Sequence, residues 1–159
     1  MRLEDRAVLP LRACIVVLFA IIVLFQTMSF PGQFRHMAEE EPDLAYLRWP
    51  LTAATIAILL CVQVVLVCTW KLLGMVRDDR IFTEAALPWV DSIIAAIAVG
   101  WLVLAGILLG LAAEWDDPGA PLVLTLLLVT VAVIGLLMIV MRALLRQATT
   151  LRTDMEAVI

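Results

Sequence analysis

Four apolar runs, at about residues 8–30, 50–76, 87–113 and 121–145, occupy most of this 159-residue chain. Each exceeds the roughly 20 apolar residues that an α-helix needs to cross a bilayer core of about 30 Å. Hydrocarbon offers no water to pair with backbone N–H and C=O groups, so a run of this kind must be a helix. The expected fold is therefore all-α: a polytopic membrane protein built as a bundle of four transmembrane helices. Composition agrees, with 64% hydrophobic and 16% charged residues, against roughly 45–50% and 25% in soluble domains. The interval 31–49, the longest between runs, is too short for a soluble domain, which needs about 50 residues. Residues 1–159 thus read as a single transmembrane domain.

The net charge of −4 conceals a segregation. If the two ends and the second connection share one side, that side holds Arg2, Arg6, Arg12, Lys71, Arg77, Arg80, Arg142, Arg146 and Arg152, nine of the 11 basic residues. The other side has Arg35 and Arg48 among Glu39, Glu40, Glu41, Asp43, Glu114, Asp116 and Asp117. Basic residues in short loops stay in the cytoplasm. Both termini are therefore expected inside, with loops 31–49 and 114–120 outside, loop 77–86 inside and 146–159 as a cytoplasmic tail.

Arg2 and Arg6 resemble the start of a signal peptide, but Gln26-Thr27-Met28-Ser29-Phe30-Pro31 offers no small-x-small cleavage site, so an uncleaved first helix is expected. Arg12 is likewise wrong for a lipid-attachment box at Leu11–Cys14. Pro31-Gly32 should end the first helix near Phe30. The acidic stretch Glu39–Asp43 should be solvated, within a short surface helix over 37–47 broken at Pro42. Phe34, Tyr46 and Trp49 would then sit at headgroup depth. Pro50 suits a first helical turn, and Trp70 and Lys71 mark the inner end of the second helix. Thr83 reads as an N-cap, with Glu84 near the positive end of the dipole and Pro88 restarting the helix a turn later. The third helix carries Gly100 and the GxxxG pair Gly106 and Gly110, a thin face for close helix packing. The fourth is Leu, Val and Ile broken only by Thr125, Thr130 and Gly135, with room to continue to about Met155. Arg142 and Arg146, four apart, can reach anionic lipid headgroups together.

Ionisable residues within a membrane span are expensive and are the first candidates for function. Arg12 and Asp91 qualify. Both lie near the inner ends of their helices, so an Arg12–Asp91 ion pair tying the first helix to the third is expected, with Lys71 and Arg142 as alternative partners for Asp91. The functional alternative makes Asp91 a proton or cation site. Polarity near the midplane is sparse, chiefly Gln63, with Gln26 and Ser29 at the outer end of the first helix. The matched helix breaks of a secondary transporter are missing. No HExxH, GxSxG, CxxC or phosphate-loop motif is present. Cys14, Cys61 and Cys68 lie in apolar runs and read as small hydrophobes, and His36 is the lone histidine. No metal, no cofactor and no enzymatic activity are expected. The favoured function is a non-enzymatic interaction protein: a sensor, scaffold or accessory subunit using Arg77, Asp78, Asp79, Arg80, Phe82, Thr83 and Glu84 with the basic tail. Its partners would be the lipid bilayer and a protein or a second copy of itself, without direct nucleic-acid binding. The alternative is a small oligomeric transporter or channel with Asp91 and Gln63 on its path.

The stretch Val76-Arg77-Asp78-Asp79-Arg80-Ile81-Phe82-Thr83-Glu84, leading through 85–91 into an apolar helix, resembles the bacterial four-helix membrane proteins of domain-of-unknown-function family 2975. Phe82 and Thr83 match that family's Phe-Ser/Thr step, while Asp79-Arg80 stands where a small residue, often Gly, tends to precede it. No activity or catalytic residue is established in the family, so the resemblance transfers none. Members are often encoded beside a small helix-turn-helix transcription regulator. The resemblance therefore implies a bacterial inner-membrane protein that partners a cytoplasmic regulator.

Overall fold

A computed structural model describes residues 3–40, 42–78, 80–111 and 119–158, without the side chains of 3–7, 34, 38, 40, 43 and 44. Residues 114–118 of the expected outer loop 114–120, the side chains of Phe34, Glu40, Glu41 and Asp43, and the surface residue Asp79 lie outside the described residues. Helix α1 spans Leu3–Leu24 and passes through a π-helical turn, Phe25–Ser29, into α2, Phe30–Glu40. A 3₁₀ turn, Pro42–Leu47, leads into α3, Arg48–Arg77. A second 3₁₀ turn, Glu84–Ala86, leads into α4, Leu87–Gly110, and α5 covers Gly119–Ala157. Among the described residues, four helical segments are long and apolar enough to cross a membrane: Val8–Met37, Ala45–Arg77, Glu84–Gly110 and Gly119–Ala157. The chain is an all-helical, multi-pass membrane protein.

The expected stop at Pro31-Gly32 does not occur. The N–H of Phe30 bonds to the carbonyl of Phe25, one residue further back than in an α-helix. A regular turn would press the Pro31 ring against the preceding carbonyls, and the extra residue of the π turn widens the helix there. The helix therefore runs on to Glu40. Pro50 and Pro88 both fall in the first turns of their helices, where a missing N–H breaks no helical bond. Thr83 has the extended backbone of an N-cap (φ −119°, ψ 156°) but does not cap. Its hydroxyl donates backwards to the Arg80 carbonyl at 2.7 Å, stabilising the turn instead.

The main contacts run in series: α1 on α3, α3 on α4, and α4 on α5. Helix α4 is the centre, and Val90, Ile93, Ala96 and Leu104 bury its inward faces. Gly100 faces α3, where an added methyl would make ordinary contact 3.6 Å from Cys61 Cβ and a larger side chain would press on it. Gly135 permits the closer approach, of α4 to α5, since an added Cβ there would come 3.2 Å from Cγ2 of Ile97. The Trp101 indole N–H donates across this contact to the Leu128 carbonyl at 3.1 Å. Gly106 and Gly110 depart from the expected packing role. Nothing lies within 4 Å of a methyl added at either. They line a shallow groove opposite Pro50 and Ala54 of α3, of about 290 Å³. Helix α5 leaves Leu122, Leu126, Leu136 and Leu144, among others, exposed along its length. Such a surface would drive aggregation in water but is solvated by acyl chains in a bilayer.

Candidate functional site at the charged ends of the helices

Asp91 lies in the second turn of α4, and the antiparallel α5 brings Arg142 to the same level. Arg142 Nε donates to Asp91 Oδ1, and a second donor, Nη2, reaches Oδ2 at 3.0 Å. Two parallel bonds match the planar guanidinium to the carboxylate, the strongest geometry such a pair offers. The side chains remain 47% (Asp91) and 37% (Arg142) exposed, so the pair sits at the surface of the helix packing rather than in its interior. It ties α4 to α5. The expected pairing of Asp91 with Arg12 is therefore replaced by the pairing with Arg142. The reason is lateral order: α1 packs on α3, whereas the Asp91 face of α4 is turned to α5.

Arg12 instead packs on α3. Its guanidinium carbon stands 5.1 Å from the ring centre of Trp70, within the range of a cation–π interaction. Its Nη2 atom lies beside Gly74, 3.7 Å from where a Cβ would be. Its Nε is covered, with no acceptor among the described residues. Lys71, next to Trp70, is exposed and likewise has no ion-pair partner among the described residues. Trp70 marks a helix end in the sequence, but nothing there links it to a basic residue 58 positions earlier.

Deeper in the α1–α3 contact, Gln63 is only 8% exposed, and its Nε2 donates to Gln26 Oε1 at 3.0 Å. Gln26 lies inside the π turn, and its own Nε2 is buried with no acceptor among the described residues. Single amide pairs of this kind join transmembrane helices by about 0.6 kcal/mol, and up to about 1.7 kcal/mol at most.

The connection after α3 is closed by two backbone bonds, Asp78 N–H to Gly74 O at 3.1 Å and Arg80 N–H to Met75 O at 2.8 Å. Arg77, Asp78, Arg80, Phe82 and Glu84 are exposed on it, and Thr83 is half-buried. Arg146 is exposed on α5, whereas Arg142 is committed to Asp91, so the expected headgroup pair is reduced to Arg146.

No curated protein and no solved structure matches the chain. A family model described as protein of unknown function (DUF2975) matches residues 32–159, from within α2 to the last residue. That span takes in the Phe82-Thr83 step, the Asp91–Arg142 pair and three of the four long apolar helices. The chain belongs to the DUF2975 family of proteins of unknown function.

Proposed function

We propose that this protein is a non-enzymatic interaction protein of a bacterial inner membrane, with both termini in the cytoplasm. On this reading it docks a cytoplasmic protein on the connection between α3 and α4. One observation carries the reading: Phe82 is 43% exposed in a tight turn, flanked by exposed Arg77, Arg80 and Glu84. Aromatic and arginine side chains together are the usual centres of protein interfaces. An aromatic ring on a water-facing turn gains its hydrophobic stabilisation only when something covers it. The charge segregation supports the cytoplasmic side for this turn. Family members' habit of lying beside helix-turn-helix regulators supports a transcription regulator as the partner.

The test is recovery of the identified partner with the full chain from gentle detergent. Arg77→Glu with Arg80→Glu, and separately Phe82→Ser, should each lower recovery by about tenfold, the scale of one lost anchor residue. Equal recovery with both variants would remove this surface from the proposal.

A small oligomeric transporter using Asp91 is the competing function. Arg142 weighs against it, since an incoming cation would have to displace a bidentate guanidinium. Flux of protons or cations into liposomes, abolished by Asp91→Asn, would reverse the preference.

A further inference from the structure

We infer that the groove between α1 and α3 binds one anionic phospholipid, an acyl chain lying along Phe19, Ala20, Leu66 and Val67 and the headgroup held by Arg12 and Lys71. The inference needs only that α1 and α3 cross a membrane. It is independent of the partner surface proposed for the 77–84 connection.

The groove is about 370 Å³ and is lined by side chains from 15–20 of α1 and 66–71 of α3, apolar except for Lys71. Lys71 closes one end, and Trp70, which carries the Arg12 guanidinium, forms the wall beside it. An apolar channel with one cation in its lining and a second resting on its tryptophan wall has the charge layout of a phospholipid: chain in the channel, phosphate at the mouth.

The state of those cations points the same way. Neither Arg12 nor Lys71 has a carboxylate partner among the described residues. An uncompensated cation in a membrane helix is expensive, and anionic headgroups are the counter-ions that a bilayer supplies. A cation–π contact with Trp70 uses none of the guanidinium's N–H donors, which therefore need an acceptor such as a phosphate oxygen. The opposite situation occurs on α5, where the Arg142 fork is already filled by Asp91. A groove of similar size between α4 and α5, about 390 Å³, is lined from Ile94 to Ile139 without any charged residue. It supplies an internal contrast, since a lipid there would be held without regard to headgroup charge.

The experiment is native mass spectrometry of the full chain in mild detergent. The probes are phosphatidylglycerol and phosphatidylcholine carrying identical acyl chains. The intact protein should retain one phosphatidylglycerol about tenfold more strongly, from roughly two thirds of the charge attraction available to two basic residues near an anionic headgroup. Arg12→Gln with Lys71→Gln should abolish that preference, whereas Arg48→Gln, a cation at the other end of α3, should keep it. Ala20→Leu should block the groove and reduce retention of the bound lipid. Ala20 is exposed, so this variant is informative even if the double glutamine variant fails to fold. Equal retention of the two lipids by the intact protein would overturn the proposal. So would a preference that survives the double variant, or lipid retention unaffected by Ala20→Leu. A dimer dissociated by Ala20→Leu would assign the groove to a second copy of the chain instead.

Discussion

At the scale of single residues, the charged groups near the inner ends of the membrane spans divide into a pair neutralised within the protein and cations without such a partner among the described residues. Asp91 and Arg142 form a closed pair, while Arg12 rests on the face of Trp70 with no carboxylate among the described residues. This division has a thermodynamic signature. Asp91→Ala and Arg142→Ala should each lower the melting temperature in detergent, and the double variant should be no less stable than the worse single. By contrast, the losses from Arg12→Ala and Asp91→Ala should add, because separated residues without shared partners behave independently. Circular-dichroism melts of the intact protein, the three single variants and the two double variants would decide it, and coupling between Arg12 and Asp91 would contradict the observed pairing. Gln63 and Gln26 form another polar link, and here too the tertiary contact is what matters. Each is an isolated amide in an apolar run until α1 and α3 meet.

At the scale of elements, small residues work only where a neighbouring helix comes close. Three glycines of α4 look alike in the sequence: Gly100, Gly106 and Gly110. Only Gly100 faces a nearby side chain, that of Cys61 on α3. Gly100→Leu should therefore force α3 and α4 apart and destabilise by about 1–3 kcal/mol, as overpacked cores do. Gly106→Ala has open space and should be neutral or stabilising by up to about 1 kcal/mol through helix propensity. Thermal melts of the two variants give the comparison, and equal losses would mean that the groove near Gly106 closes in the membrane. The π turn shows the same dependence on surroundings. Pro31-Gly32 is a strong local stop, yet one extra residue between Phe25 and Phe30 lets the helix continue.

At the scale of the whole molecule, the four long helices are unequal. With 39 residues at 1.5 Å each, α5 is about 58 Å long, nearly twice the hydrocarbon core of about 30 Å. Its polar end, with Arg152, Asp154 and Glu156, must project from the membrane. The proposed orientation predicts the side. In a background with Cys14, Cys61 and Cys68 replaced, Asp154→Cys should react with an impermeant maleimide only after the cells are opened. Glu39→Cys should react in intact cells. Labelling of both on the same side would refute the three crossings, by α3, α4 and α5, between them.

Local chemistry along the chain was enough to determine the all-helical class, the four spans, the segregated charge and the family resemblance at Phe82-Thr83. Each of these depends on residues close together in sequence, whose hydrophobicity, charge or order speaks for itself. Tertiary structure alone decided the rest. Asp91 is paired by a residue 51 positions away rather than by Arg12. Gly135 is the tight contact and Gly100 faces a neighbouring helix, while Gly106 and Gly110 face open space, and the first helix crossed Pro31. The physical reason is that an apolar helix has no single strongly marked face in these runs. Bilayer insertion is satisfied by almost any rotation about the helix axis. Which polar side chains meet is settled only when neighbouring helices lock that rotation, and the serial order α1, α3, α4, α5 turned Arg12 to Trp70 and Asp91 to Arg142.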